Sequence, residues 1–555
     1  MSTSTASSNA ASFNAALTGP VNPATESRGT LRYVRTDDFD SLDFGNTYYG
    51  YSWNFLRLLG RTMTTFAAAS GAPGREVVPD LAEGLGVTED GGRTWTYRLR
   101  EGLRFEDGSP VTAHDVRYAI ERSNYGLDVL GAGPMYLRNL LEGDWVGPYA
   151  DPDGHAPGIA VPDDRTIVFT LRRPFAAFDK VMTLPSCTPV PRSADTGSAY
   201  GRAPVATGPY RIESYEPGSR LVLVPNPHWD EATDSVRRRA ASTIEVLLGR
   251  EPLEVDEMLL AGEAEIDLAG FGLQPESMSR VLDDPALKDL LDNPLQGFTW
   301  IYCLASSVAP MDNVHARRAV HYATDKAAMQ EAYGGPLCGD IATTVLPPTI
   351  EGYADTDRYP VGEDATGDLE AARRELALAG IPDGFRTKIA ARTDRRKEWL
   401  AAQALSRGLA RVGIDAEVQG FTSGGYFEHQ AGSPQFLREQ GIGIVMFGWG
   451  ADFPDGYGFF QQIVDGRAIK SKGNQNMGEL DDPVVNELLD AGAESLDAAE
   501  RERVWRDIDR LVMDHAVIVP YLYPRSLLFR GPRATNVYVA GSFGMYDYVS
   551  CGASD

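Results

Sequence analysis

The chain has little of what most enzymes and membrane proteins rely on. Of 555 residues only 4 are cysteine and 7 are histidine. Cys187, Cys303, Cys338 and Cys551 are widely scattered, with no Cys-x-x-Cys among them. That spacing argues against a structural zinc site or a dithiol redox motif and leaves three disulfide pairings open. The histidines stand singly, without a His-Glu-x-x-His, and His315 and His321 are six apart, on opposite sides of any helix. No metal or other cofactor is therefore expected. Neither a Gly-x-Ser-x-Gly elbow nor a phosphate-cradling glycine loop occurs. Asp195-Thr196-Gly197-Ser198 echoes the aspartic-protease triplet, but it occurs once, and that chemistry needs two carboxylates sharing a proton. No enzyme is expected.

Positive charge is also scarce. The 52 basic residues are outnumbered by 78 acidic ones, for a net charge of −26. Such a surface repels phosphate backbones and anionic headgroups, so nucleic acid and membrane surfaces are poor partners, and cationic or zwitterionic ligands fit better. No apolar run approaches the roughly 20 residues of a membrane span.

What is present is a soluble globular composition, 43% hydrophobic and 23% charged, on a chain too long for a single core. Met1 to Asn22, rich in Ser, Ala, Thr and Asn, lacks the basic and apolar regions of a signal peptide and reads as a flexible tether. The organising stretch is Ile442 to Asp455, Ile-Gly-Ile-Val-Met-Phe-Gly-Trp-Gly-Ala-Asp-Phe-Pro-Asp. Ile442 to Phe447 has the length and bulk of a buried strand. It stops in Gly448-Trp449-Gly450, where two glycines admit another backbone and an indole lies between them. Asp452 follows as a lone carboxylate, ahead of a Phe453-Pro454-Asp455 turn. Such a strand end suits an extended peptide, held by main-chain pairing and by the acid on its α-ammonium group. An ordinary core strand with a solvated Asp in its turn is the other reading.

The rest of the chain carries landmarks in a fixed order. Thr30 to Val34 alternates as a strand, and Ser41-Leu42-Asp43 leads into the aromatic cluster Tyr48, Tyr49, Tyr51, Trp53 and Phe55. Trp95-Thr96-Tyr97-Arg98-Leu99-Arg100 alternates on a half-buried strand. Phe105 and the Asp107-Gly108 turn come next, then Thr112 and Asp115 as a capping-box pair opening a helix with Val116, Ala119 and Ile120 on one face. Asn313 predicts a helix cap ahead of Ala316, Ala319, Val320 and Ala323. Leu369, Ala372 and Leu376 predict another helix, with Gly380 at its C′ position, and Val504, Ile508, Leu511 and Val512 mark a third.

This order resembles the extracellular solute-binding proteins of ABC importers, family 5, the oligopeptide and dipeptide binders. The likeness is carried by Gly-Trp-x-Ala-Asp-aromatic at 448–453, by Trp-Thr-aromatic-x-Leu-Arg from Trp95, and by Phe-x-Asp-Gly-x-Pro-Val-Thr-Ala-x-Asp-Val from Phe105. Ala206 to Ile212, Val224 to Trp229, Leu259 to Asp267 and Val517 to Leu522 add to it. The resemblance implies an α/β, periplasmic-binding-protein-like fold of class II, with two ligand-enclosing lobes, an extra inserted domain and a hinge. The expected divisions are a tether at 1–28, lobe I from 29–60, 186–295 and 520–555, an inserted lobe II at 61–185, and lobe III at 296–519.

It also implies the function. An extracytoplasmic protein, tethered to the membrane as a lipoprotein, captures peptides between closing lobes and delivers them to an ABC permease, as a monomer. The lipidated Cys that precedes such a tether in the family is absent here, which reads as a mature form started from an added Met. A cytoplasmic protein with a disordered tail is the alternative. Asp452 takes the peptide N-terminus by resemblance. Trp449, Gly448, Gly450, Phe453 and Tyr457 are expected around it, and the Tyr48-Tyr49-Gly50 loop is expected to face the ligand with its backbone. Oligopeptide binders of the family carry an Arg where this chain has Met446, so no anchor for the ligand carboxylate is visible. A second reading keeps the fold but gives it a cationic or peptide-like small molecule of a secondary-metabolite pathway. The composition suits a high-GC actinomycete, where clavulanic acid gene clusters hold such homologues. A hydrolase on this scaffold is the third.

Overall fold

A computed structural model describes residues 12–26, 29–131 and 135–554. It divides into two compact units, Met1–Pro294 with Ser526–Asp555, and Leu295–Arg525.

The first unit is built on a five-stranded sheet in the order Ile266–Asp267, Thr30–Val34, Thr243–Leu247, Arg220–Pro225, Tyr210–Glu216. Its first three strands are parallel, and the last two add antiparallel. Leu31 and Tyr33, alternating on the Thr30–Val34 strand, are buried in one core with Leu221, Leu223, Ile244 and Val246. Burial of such side chains, worth roughly 1.5–3 kcal/mol each, fixes the register, because a slip by one residue would turn Leu31 and Tyr33 to the other face.

Residues 61–185 fall within this unit and carry a separate three-stranded sheet of Thr94–Arg98, Thr166–Thr170 and Ile159–Asp163. The alternation from Trp95 works as expected: Trp95 and Tyr97 are buried, and Trp95 stacks on Phe178 at 5.8 Å. The helix Ala113–Tyr125 opens where the capping pair predicts it, with the Asp115 carboxylate accepting from the Thr112 N–H at 2.8 Å and its hydroxyl at 2.7 Å. Val116, Ala119 and Ile120 are buried as one face.

The second unit holds a six-stranded sheet in the order Gly339–Ile341, Ile518–Pro524, Phe298–Leu304, Ile442–Gly450, Arg386–Arg392, Asp415–Phe421. Arg386–Arg392 runs parallel to both of its neighbours, and the helix Arg396–Ala410 makes the crossover to Asp415–Phe421 that a parallel pair requires. The Asn313 side chain caps the helix Val314–Ala323 by accepting from the His315 N–H at 2.9 Å. Ala316, Ala319, Val320 and Ala323 are buried beneath it. Trp505, fully buried on the helix Ala498–His515, explains three glycines at once: a Cβ at Gly352, Gly456 or Gly492 would overlap it.

One expectation meets a different arrangement. The described part of the tether is packed: Ala16 and Val21 are fully buried, the Ala16 N–H donates to Asp292 at 2.9 Å, and Val21 bridges to Val537. Apolar residues within a polar stretch were enough to seat it, while residues 1–11, 27 and 28 lie outside the described residues. All of Ile518–Pro524 belongs to the sheet of the second unit, Leu295–Arg525. All four cysteines are buried free thiols, which settles the open pairings.

Candidate ligand-binding site

In the second unit the strand Ile442–Gly450 is buried from Ile442 to Phe447 and half-buried from Gly448 to Gly450. One edge pairs with Phe298–Leu304 from Ile444 through Gly450. On the other edge Arg386–Arg392 covers only Ile442, Ile444 and Val445. Beyond Val445 that edge has no strand neighbour among the described residues, and the Tyr426 hydroxyl donates to the Met446 carbonyl at 3.1 Å. The close approach that the two glycines permit is that of rings. A Cβ on Gly448 would overlap Trp300, and one on Gly450 would overlap Phe298, both from the adjacent strand. Trp449 lies between them with its ring 5.6 Å from that of Phe447. Its indole N–H donates to the Phe459 carbonyl at 2.7 Å, so the ring is pinned to the helix Gly456–Val464.

Asp452 is half-buried in the bend that follows. The other acid of the turn has a different task. Asp455 is fully buried and accepts from the Tyr457 N–H at 2.8 Å, capping the helix Gly456–Val464. Phe453 and Tyr457 are buried, at 2% and 8% exposure.

In the first unit Tyr48 and Tyr49 are more than half exposed, at 53% and 55%. Asp40 holds their loop in shape. Its carboxylate accepts from the Tyr48 N–H at 2.7 Å, the Thr47 hydroxyl at 2.9 Å and the Ser52 hydroxyl at 2.8 Å. Tyr49 stacks on Tyr51 at 5.5 Å and 21°, and Tyr48 meets Trp53 edge-on at 5.7 Å. Gly50 opens the helix Gly50–Leu56, and a Cβ there would meet nothing. The sequence reading singled out this loop but not Asp40, whose hold on it is visible only once the chain has turned back on it. It also missed Arg35, buried at the end of the Thr30–Val34 strand. A charged residue following an apolar strand was the available signal.

Among the described residues no helix is long and apolar enough to cross a membrane, and no three His, Cys, Asp or Glu side chains are grouped to hold a metal ion. The profile of the bacterial extracellular solute-binding proteins, family 5 (middle domain), matches residues 76–471, well over half of the chain. The chain is a family 5 solute-binding protein. A probable D,D-dipeptide-binding periplasmic protein of Escherichia coli K12 is 24% identical to this solute-binding protein over 522 residues, covering 91% of this chain and 90% of the relative. The oligopeptide-binding protein OppA of Bacillus subtilis 168 is 23% identical over 480 residues, with 83% and 82% covered. Among solved structures, clavulanic acid biosynthesis oligopeptide binding protein 2 superposes with a TM-score of 0.95 at 45% identity, covering 99% of both chains. The ABC transporter-associated periplasmic binding protein DppA of Helicobacter pylori, solved with the peptide STSA, shares the fold at a TM-score of 0.70 and 19% identity, with 95% and 99% covered.

Proposed function

We propose that this solute-binding protein captures peptides outside the cytoplasm and hands them to an ABC importer. The observation that carries the reading is its near full-length likeness, at 45% identity, to an oligopeptide-binding protein. The Gly448-Trp449-Gly450 strand end supplies main-chain groups for an extended ligand, and Asp452 accepts the ligand's α-ammonium group. Trp449 and the exposed Tyr48-Tyr49 pair offer aromatic surface. Phe453 and Tyr457 support the Asp452 bend from the core side. Closure upon the ligand replaces any covalent step. The protein acts as a monomer, and membrane tethering as a lipoprotein belongs to the same reading. So does the division of the chain into three lobes.

The test is a thermal-shift screen against di- to decapeptides, their N-acetylated forms and free amino acids. Free peptides should raise the melting temperature and the N-acetylated forms should not. Small-angle scattering with the best binder should give a smaller radius of gyration. A screen in which no peptide stabilises the protein would discard the reading.

A second reading is favoured by Met446, an apolar, fully buried side chain where oligopeptide binders of the family carry Arg. The ligand is then a cationic or peptide-like small molecule of a secondary-metabolite pathway. The same screen extended to such compounds separates the two, and product analysis of the incubated peptides tests for hydrolysis.

A further inference from the structure

Arg35 is 6% exposed, yet its Nε and Nη1 atoms find no hydrogen-bond acceptor, and it forms no ion pair with any described carboxylate. This is unlike the other deeply buried arginines of the first unit. Arg61 holds Asp80 at 2.8 Å, Arg122 holds Asp43 at 2.7 Å and Arg237 holds Asp80 at 2.8 Å. Burying a guanidinium without an anion is costly, which makes this one a candidate to receive an anion from outside the fold. The acids of the loops that follow this strand and its neighbour are committed elsewhere. Asp40 is occupied by its own loop, Asp38 accepts from Tyr215 and Gly218, and Asp267 accepts from the N–H groups of Ala269, Phe271 and Gly272.

The position is one where a ligand can arrive. Thr30–Val34 lies between two parallel neighbours, and Arg35 follows directly on its carboxyl end. Ligands of open α/β sheets bind outside the carboxyl ends of parallel strands. The loops leaving that edge expose Tyr49 and, after Ile266–Asp267, Phe271 at 66%. The Arg35 guanidinium lies 4.0 Å over the Tyr51 ring, which holds its planar fork in one orientation. The Tyr51 hydroxyl is likewise buried without a partner. Arg250, whose backbone N–H donates to the Arg35 carbonyl at 3.1 Å, is by contrast already paired, its Nη1 meeting Glu254 at 3.2 Å.

We propose that Arg35 receives a carboxylate of the ligand at the carboxyl edge of this sheet, with the Tyr51 hydroxyl as a further donor. A planar guanidinium and a carboxylate match in a two-pronged hydrogen bond. The assignment rests on the peptide-binding reading.

The test uses a pool of tripeptides, each as the free acid and as the C-terminal amide. Retained species are identified by mass spectrometry, and the best pair is titrated calorimetrically against wild type, Arg35→Gln and Arg35→Lys. Wild type should prefer the acid by at least about tenfold, Arg35→Gln should bind both forms as weakly as wild type binds the amide, and Arg35→Lys should fall between. Without ligand, Arg35→Gln should melt no lower than wild type. Equal weakening of acid and amide, an acid preference that survives in Arg35→Gln, or a lowered melting temperature with that preference intact would overturn the assignment. If no tripeptide binds wild type, sodium acetate becomes the probe, and the peptide reading itself is decided by the wider screen of di- to decapeptides. A rise in melting temperature for wild type but not for Arg35→Gln then supports the carboxylate site, and no difference between them overturns it.

Discussion

Individual side chains in this protein are held to unequal standards of space and charge. At Gly456 the absent Cβ is what allows Trp505 to lie against the start of the helix Gly456–Val464. Gly456→Ala should therefore cost about 1–3 kcal/mol, the usual penalty of overfilling a packed core, read as a lower denaturant midpoint with an unchanged slope. For Asp452 the proposed role is chemical instead. Asp452→Asn keeps its shape and removes its charge, and should weaken a free peptide by ~2–5 kcal/mol, the cost of leaving one member of a charge pair alone. The N-acetylated peptide should lose almost nothing by the same substitution. Calorimetry on the pair of ligands separates this outcome from general damage to the site.

At the scale of elements, the helix Ala498–His515 is tied to the loop beside it by one acid. The Asp509 carboxylate accepts from the N–H groups of Val345 at 3.1 Å and Leu346 at 3.0 Å, and burial pushes its pKa up to about 7. A raised carboxyl pKa means that the folded state holds the proton more tightly than the unfolded state. Its contribution to stability is present at acid pH and lost as pH rises from about 4 to about 7, each unit of difference being worth about 1.4 kcal/mol. The melting temperature of wild type relative to Asp509→Asn should fall across that window and stay level above it.

Elements with a strong local signature were legible in the sequence. The strand from Trp95 alternates, the helix after Thr112 carries its own cap, and Ile442 to Phe447 is too apolar to be anything but interior. Of the candidate site, the sequence points only to stretches that are continuous in it, the bend around Asp452 and the Tyr48-Tyr49 loop. It does not point to Asp40 and Arg35, since their meaning depends on partners supplied, or withheld, by the folded chain. Phe13 to Val21 was misread for a related reason: its partners, Asp292 and Val537, lie hundreds of residues away.

For the molecule as a whole, the net charge of −26 acts at a distance. A cationic peptide should associate faster at low salt than at high salt, whereas a neutral peptide of the same length should show little change, as stopped-flow fluorescence can measure. The four thiols set a second expectation. All are buried, and burial pushes the Cys187 and Cys303 thiols up to about 12, so they are inert rather than cross-linked. An aromatic disulfide reagent should label none in the native protein and four after denaturation, and a reductant should leave the melting temperature unchanged.

Both outer segments of the chain are stitched into the same body, where Val21 bridges Val537 and the Asn22 side chain donates to Ala534 at 3.1 Å. What remains, Leu295 to Arg525, is one uninterrupted stretch with its own six-stranded sheet. It can be cut out as a single gene fragment, without splicing distant pieces together. Expressed alone, it should melt cooperatively, providing a fragment that carries Asp452 and lacks Arg35, on which the peptide affinity proposed for Asp452 can be measured separately.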